Sequence, residues 1–318
     1  MNTNYSQPLS NGFERMKKAL FQPFDISKWI YIGFTAFLAG LTEFWGGSGG
    51  GGGNSGFNFK EPNWDEFFAF PETVWNWLTS HPVWFGLIIA GVFFLVILSI
   101  ILNWISARGK FMFLYNVVNN KDDVVKPWYN FRNAGNSLFW WQFIYGWLVF
   151  GVFILFFVYS FGVFKNIHND VIPDIAKFGF IAGIIISFIG LVIITGYISL
   201  FLTDFVVPLM YKHQITTLKA WSLFLSLLLR NVGSFLVYGL FILILKIATA
   251  ITVIFIAVLT CCIGLLLIMI PFVGTVILLP VSYTFRAFSI EYFATFGAEF
   301  NIFLTDENTI SENIQVKD

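Results

Sequence analysis

The chain has 318 residues, 57% hydrophobic and only 11% charged, against about 25% charged in an ordinary soluble domain. That deficit excludes a single large soluble core, and a formal net charge of zero gives no overall attraction to nucleic acid. The 41 Phe and 12 Trp suit lipid-facing surfaces and headgroup-level anchors.

Residues 1–10 are polar, with no pattern of a cleaved leader. From Gly12, the residues Phe13, Met16, Leu20 and Phe21 recur at helical spacing, while Glu14, Arg15, Lys17 and Lys18 fall mostly elsewhere around the helix. This predicts a short amphipathic helix lying on a membrane surface, stopped by Pro23. Asp25 or Ser27 can cap the helix that follows, a first span over 28–44 between Trp29 and Trp45. Residues 46–56 hold eight glycines in eleven positions, a flexible tether without a phosphate-binding context. The rest of the 45–82 loop carries short aromatic, acidic segments, which read as a cap on the outer face of the membrane.

The second span is predicted over 83–104, followed at once by Arg108 and Lys110. After Pro127, the residues Trp128, Phe131, Ala134 and Leu138 continue at helical period into a third span over 137–164. A fourth covers 178–203, where Gly179, Gly183 and Ser187 at four-residue steps predict close helix packing. Beyond Asp204, the residues Trp221, Phe224, Leu225 and Leu228 line one face of a further amphipathic helix. Residues 231–285 then contain one charged side chain, Lys246. At about 20 residues per crossing, this length predicts a hairpin of two spans, 234–260 and 262–285, turning near Cys261 and Cys262. Residues 306–318 form a polar tail.

The expected fold is therefore all-α and polytopic. One domain over 1–305 holds six spans as three hairpins, each preceded by a cytoplasmic amphipathic helix (13–21, 128–138, 221–228). A charged residue stands at each hairpin exit, Arg108, Asp204 and Arg286, with Tyr115, Tyr211 and Phe293 seven positions further on. Loops on the side of the termini hold 14 Lys and Arg against 3 opposite, which predicts cytoplasmic termini by the positive-inside rule.

Candidate chemistry is sparse. Lys246 falls at the middle of the fifth span, where a lysine costs roughly 2.5 to 3.5 kcal/mol on the insertion scale. Its helical neighbours Gly239, Thr249 and Ala250 are small or polar, so this face is expected to look into the bundle, and Lys246 is the candidate intramembrane functional residue. Asp204 is expected to bridge Arg108, Arg286 or both, locking hairpins together. The histidines His81, His168 and His213 have no metal-ligand spacing, and no catalytic motif is present. No catalytic residue, cofactor or metal is expected, and no enzyme activity.

The stretches Phe24-Asp25-Ile26-Ser27-Lys28-Trp29, Asp204-Phe205-Val206-Val207-Pro208, 271–280 and Phe285-Arg286-Ala287-Phe288-Ser289 resemble uncharacterised prokaryotic multi-pass membrane proteins of unknown function. That group is distantly similar to the membrane domain that accompanies some glycerophosphodiester phosphodiesterases. The resemblance covers most of the chain and implies a prokaryotic cytoplasmic membrane and a lipid connection. It does not imply the phosphodiesterase activity, whose catalytic domain has no counterpart here. Two functions stay open: a non-catalytic organiser of membrane lipids or of another membrane protein, and a transporter or channel for a small solute, anionic or not. The oligomeric state is not legible.

Overall fold

The computed structural model of the protein describes residues 5–47, 64–169, 173–260 and 263–303. The Cys261-Cys262 turn, most of the glycine-rich tether and the 306–318 tail lie outside the described residues. Every element among the described residues is helical. Four helical stretches are long and apolar enough to cross a membrane: Pro82–Asn119, Arg132–His168, Ile175–His213 and Val232–Leu259. A fifth candidate is the bent pair Pro271–Ile277 and Leu279–Ala294, whose halves meet at 64°. The apolar part of the first predicted span, Ile26–Thr42, is shorter.

The chain falls into two compact units. One comprises residues 47–102 and 142–196. It holds α3 (Trp64–Ser80), the first part of α4 (Pro82–Asn119), the later part of α6 (Arg132–His168) and most of α7 (Asp174–Phe201). Phe68 packs edge-on against Phe161 at 5.4 Å, and Trp75 against Phe85 at 6.4 Å. Phe153, Phe156 and Phe157 gather around Phe188 at 5.8 to 6.4 Å, which joins α6 to α7. The Gly179 and Gly183 stripe is not where helices meet, because a Cβ at either would find open space. Large rings reaching across from α6 make that joint, and the glycines lie off its line.

The other unit comprises residues 1–46, 103–141 and 197–318 and contains the core. The sequence places exits just past 104, 203 and 285, but the helices do not stop there. α4 runs 38 residues, about 57 Å at 1.5 Å per residue and nearly twice a hydrocarbon layer. Its residues Ser106 to Val118 are buried on all sides, the mark of a helix at the centre of a protein core. α7 likewise continues through a π-helical turn, Leu202–Val206, into α8, Val207–His213. The sixth predicted span is instead three helices, α11 (Ile263–Met269), α12 (Pro271–Ile277) and α13 (Leu279–Ala294). Pro271 and Pro280 each stand in the first turn of a new helix, where the missing N–H costs nothing and the fixed φ suits the start.

Three buried segments meet in this core: the end of α4, the π turn with α8, and α13. The Tyr283 hydroxyl donates to the Val117 carbonyl at 3.1 Å, Asn119 Nδ2 to the Tyr211 hydroxyl at 3.0 Å, and Arg286 to the Thr203 carbonyl at 2.7 Å. Each pair of segments is thus tied directly.

A further helix covers each segment. The corner between α5 (Val125–Asn130) and α6 lies on α4, with Phe131 stacked 5.8 Å from Phe111. α9 (Thr217–Arg230) lies on the π turn, with Phe224 stacked 5.3 Å from Phe205. α1 (Ser6–Phe21) lies on α13, so closely that a Cβ at Gly12 would stand 2.8 Å from the Phe288 backbone nitrogen. The first two covers follow the segments they cover in the chain, and α1, at the chain's start, covers α13 near its end, closing the set into a ring. α1 was expected to bury its apolar stripe in lipid headgroups. Instead Met16, Ala19 and Leu20 are buried in protein, with Phe13 and Phe21 still exposed. The packed rings of α13 offer the same apolar burial, and an Arg15–Glu291 ion pair adds to it.

α2 (Ile26–Gly47) packs its small residues against α4. A Cβ at Gly109 would meet the Ala39 backbone nitrogen at 2.6 Å, and Ser106 donates to the Ala39 carbonyl at 2.8 Å. At its start, Asp25 accepts the Ser27 N–H at 2.8 Å, as the capping pattern predicts.

Candidate functional site

The three exit charges all sit in the buried layer of the core unit, in two different settings. Asp204 lies inside the π turn of residues 202–206. Such a turn widens the backbone by one residue and recurs at functional positions. Here it sets the Asp204 carboxylate and the Thr203 carbonyl beside α13 and α10 (Val232–Leu259). The Tyr238 hydroxyl donates to Asp204 Oδ2 at 2.9 Å, and Arg286 Nη1 lies 4.0 Å from Oδ1. The same Nη1 donates to the Thr203 carbonyl at 2.7 Å. The side chains of Arg286 and Asp204 are 6% and 15% exposed, so both are largely removed from water. A 4.0 Å separation is the outer limit of an ion pair, and the shorter carbonyl bond is the firmer anchor of the guanidinium. Tyr238 is fully buried and stacks on Tyr292 at 4.6 Å and Phe288 at 5.7 Å.

Arg108 does not join them. Its guanidinium stands 4.3 Å from the Trp104 ring and 4.8 Å from the Trp128 ring. Arg108 Nη2 donates to Asn136 Oδ1 at 3.0 Å, and the stem runs over Gly135, where a Cβ would be 2.8 Å from Cγ. Two indole faces supply the stabilisation that a carboxylate would otherwise give a buried cation. Of the two arginines considered for Asp204, Arg286 stands 4.0 Å from its carboxylate, while Arg108 is turned to Asn136 and the two indoles.

Sequence reasoning missed Tyr238, Asn136 and the two indoles. Tyr238 shares a helical face with Phe235 and Ile242, both buried, and its hydroxyl on that face was the available signal. Also missed was a second tie of α1: Tyr5 and Tyr292 stack at 5.3 Å and both donate to the Ser234 carbonyl, at 3.0 and 3.1 Å. Lys212 donates to the carbonyls of Ala298, Glu299 and Asn301 at 2.9 to 3.1 Å and fixes the segment after α13.

Lys246 lies on α10 with its side chain exposed. Of the neighbours expected to line an inward face with it, Gly239 is buried against Tyr197, but Ala250 is exposed. The buried positions Phe235, Tyr238, Gly239 and Ile242 of α10 share one face, and Lys246, one turn past Ile242, lies on that same face where it has become exposed. Among the described residues, no group of three His, Cys, Asp or Glu side chains comes together as metal ligands.

Several long apolar helices, exposed along their most apolar stretches, mark the chain as a multi-pass membrane protein. The chain belongs to a family of unknown function, DUF7544, whose model matches residues 6–304. Comparison with curated proteins and with solved structures yields no match. The family match supports the uncharacterised-family part of the resemblance drawn from the sequence and adds nothing to its phosphodiesterase part.

Proposed function

We propose that this protein is a non-catalytic organiser in the cytoplasmic membrane of a prokaryote, crossing six times as three hairpins with both termini inside. It would hold anionic lipid headgroups or a partner protein at its cytoplasmic face. The observation that carries this reading is the disposition of charge on the core unit. Lys17, Lys18, Lys121, Lys126, Arg132, Lys219 and Arg230 are all exposed. They lie in or beside the covering helices, whose apolar sides face the protein core. Those helices therefore present cations outward from a fixed scaffold, and near an anionic surface each is worth about 1 kcal/mol. The test is native mass spectrometry of the protein in bilayer discs of mixed phosphatidylcholine and phosphatidylglycerol. Retained phosphatidylglycerol should exceed its share of the mixture and fall to that share when Lys17, Lys18, Lys219 and Arg230 are all changed to Gln. Equal retention by both proteins would sink the lipid reading.

A transporter is the second reading, favoured by the helix breaks at Ile270 and Leu278, since broken helices within a membrane commonly line transport sites. It ranks second because its one intramembrane cation, Lys246, is exposed rather than enclosed. Solute flux in proteoliposomes that vanishes with Lys246→Met would reverse the order.

A further inference from the structure

We propose that Arg108 and Arg132 bind one phosphate group between them, chemistry shared by an anionic phospholipid headgroup and free phosphate. The inference rests on the anionic-lipid side of the reading above and gives it a definite place in the protein.

The first observation is a buried charge without a counter-charge. Arg108 is 7% exposed, and a cation so far removed from water ordinarily keeps an anion beside it. Among the described residues Arg108 has no ion pair. The charged side chain that acts on it is another cation, Arg132, and the two repel. Arg132 is exposed, with no hydrogen bond and no ion pair among the described residues. The indoles of Trp104 and Trp128 lessen the cost of burying Arg108 but carry no net charge.

The second is a surplus of donors. A guanidinium carries five N–H groups, and the bond to Asn136 uses one of those on Arg108. Asn136 Oδ1 also accepts Trp104 Nε1, at 3.3 Å, so both of its lone pairs are taken. Arg108 Nε is buried without an acceptor, and Nη1 also lacks one but is not closed off. Arg132 stands four residues before Asn136 in the first turns of α6, on the same side of the helix. A Cβ at Gly135 would stand 2.8 Å from Arg108 Cγ, so the bare backbone there lets the Arg108 stem lie along this turn. Two cations with unused donors and no acceptor left between them select an oxyanion, and the paired N–H groups of a guanidinium suit the oxygens of a phosphate.

The third is position along the chain. The last strongly exposed apolar side chain of α4 before Arg108 is Ile101, and the first of α6 after Arg132 is Trp140. Both arginines therefore stand just past the ends of exposed apolar runs, beside indoles of the kind that mark headgroup level. Lipid phosphates lie at that level.

The test follows the thermal midpoint of the full-length protein in dodecyl maltoside micelles and phosphate-free buffer. Without added anion, Arg132→Gln should raise the midpoint, because it removes the repulsion of Arg108. Phosphatidylglycerol in the micelles should raise the wild-type midpoint, and Arg132→Gln should need about tenfold more lipid for the same rise. Arg132→Lys should need less than that, and Arg230→Gln, an equal loss of charge on α9, should shift the titration far less. Inorganic phosphate titrated alone separates the sources. A rise that saturates with phosphate and is not extended by phosphatidylglycerol assigns free phosphate; a rise with phosphatidylglycerol that millimolar phosphate does not reproduce assigns the lipid, and either supports the site. Equal titrations of wild type and Arg132→Gln, or no rise with either ligand, overturn the proposal. If Arg230→Gln weakens the response as much as Arg132→Gln, the cations act as a spread surface; this inference falls and the organiser reading stands. If Arg132→Gln has no effect and phosphatidylglycerol retention also survives the combined change of Lys17, Lys18, Lys219 and Arg230, both fall.

Discussion

Tyr238 carries the clearest consequence at the scale of single residues. Its hydroxyl is the donor to a carboxylate that is nearly dehydrated. Removing one partner of a buried hydrogen bond strands the other, at about 1 to 3 kcal/mol. Tyr238→Phe should therefore lower stability by that amount in detergent-solubilised protein followed by near-ultraviolet dichroism, although the ring and its stacking remain. For Asp204 and Arg286 the informative measurement is a double-mutant cycle. Asp204→Asn alone leaves an uncompensated guanidinium and should cost about 3 to 5 kcal/mol. Together with Arg286→Met the loss should be clearly smaller than the sum of the two single changes, and simple additivity would show that 4.0 Å is too far for a working pair. Arg108 should behave differently: Trp104→Leu should weaken its setting even though no charge is removed. The sequence marked Asp204, Arg108 and Arg286 together because they recur at equivalent exits. It could not show which arginine the carboxylate meets, because Arg108 is satisfied by aromatic rings from two other places in the chain.

Glycine contacts set the geometry of the elements. At Gly12 and Gly109 the neighbouring atoms are backbone, which cannot rotate aside. Gly109→Ala should push α4 from α2, and Gly12→Ala should lift α1 from α13, each costing about 1 to 3 kcal/mol by overpacking. Gly183→Ala, facing open space, should be neutral or slightly stabilising through helix propensity, and thermal melts of the three variants compare them directly. Helix existence was readable from apolar period and length, but helix ends were not. Arg108 and Lys110 look like the water-facing end of a span, yet both are buried within α4. Hydropathy cannot distinguish a helix leaving a membrane from one entering a protein interior, since in both cases charges reappear. The prolines of the last predicted span were legible as interruptions, but that they begin new helices depends on the packing of α12 on α2, where Phe272 meets Phe34 at 6.3 Å and Phe37 at 5.9 Å.

For the whole molecule, the residues that recur in the sequence also lie in the core. The threefold recurrence of exit charges and aromatics marks the three helix segments that tie to each other through Tyr283, Asn119 and Arg286. What no repeat unit could reveal is that α1, at the chain's start, covers α13 near its end. Removing residues 1–22 should therefore damage the opposite end of the sequence. The α13 face bearing Phe288 and Tyr292 would be uncovered, and protease cutting between 279 and 303 should accelerate while cutting in the α6–α7 pair does not.

The closure of α1 onto α13 also sets an order in time. Arg15 and Glu291 are 276 residues apart, and at 5 to 20 residues per second the ribosome needs about 14 to 55 s to make the second after the first. For that interval α1 is complete but has no α13 to lie on, and its stripe of Met16, Ala19 and Leu20 must rest on something else. The membrane surface is the nearest apolar boundary. The helix that the sequence places on the bilayer and the structure places in the core can thus occupy both sites in succession, first as a waiting position and then as the final act of assembly.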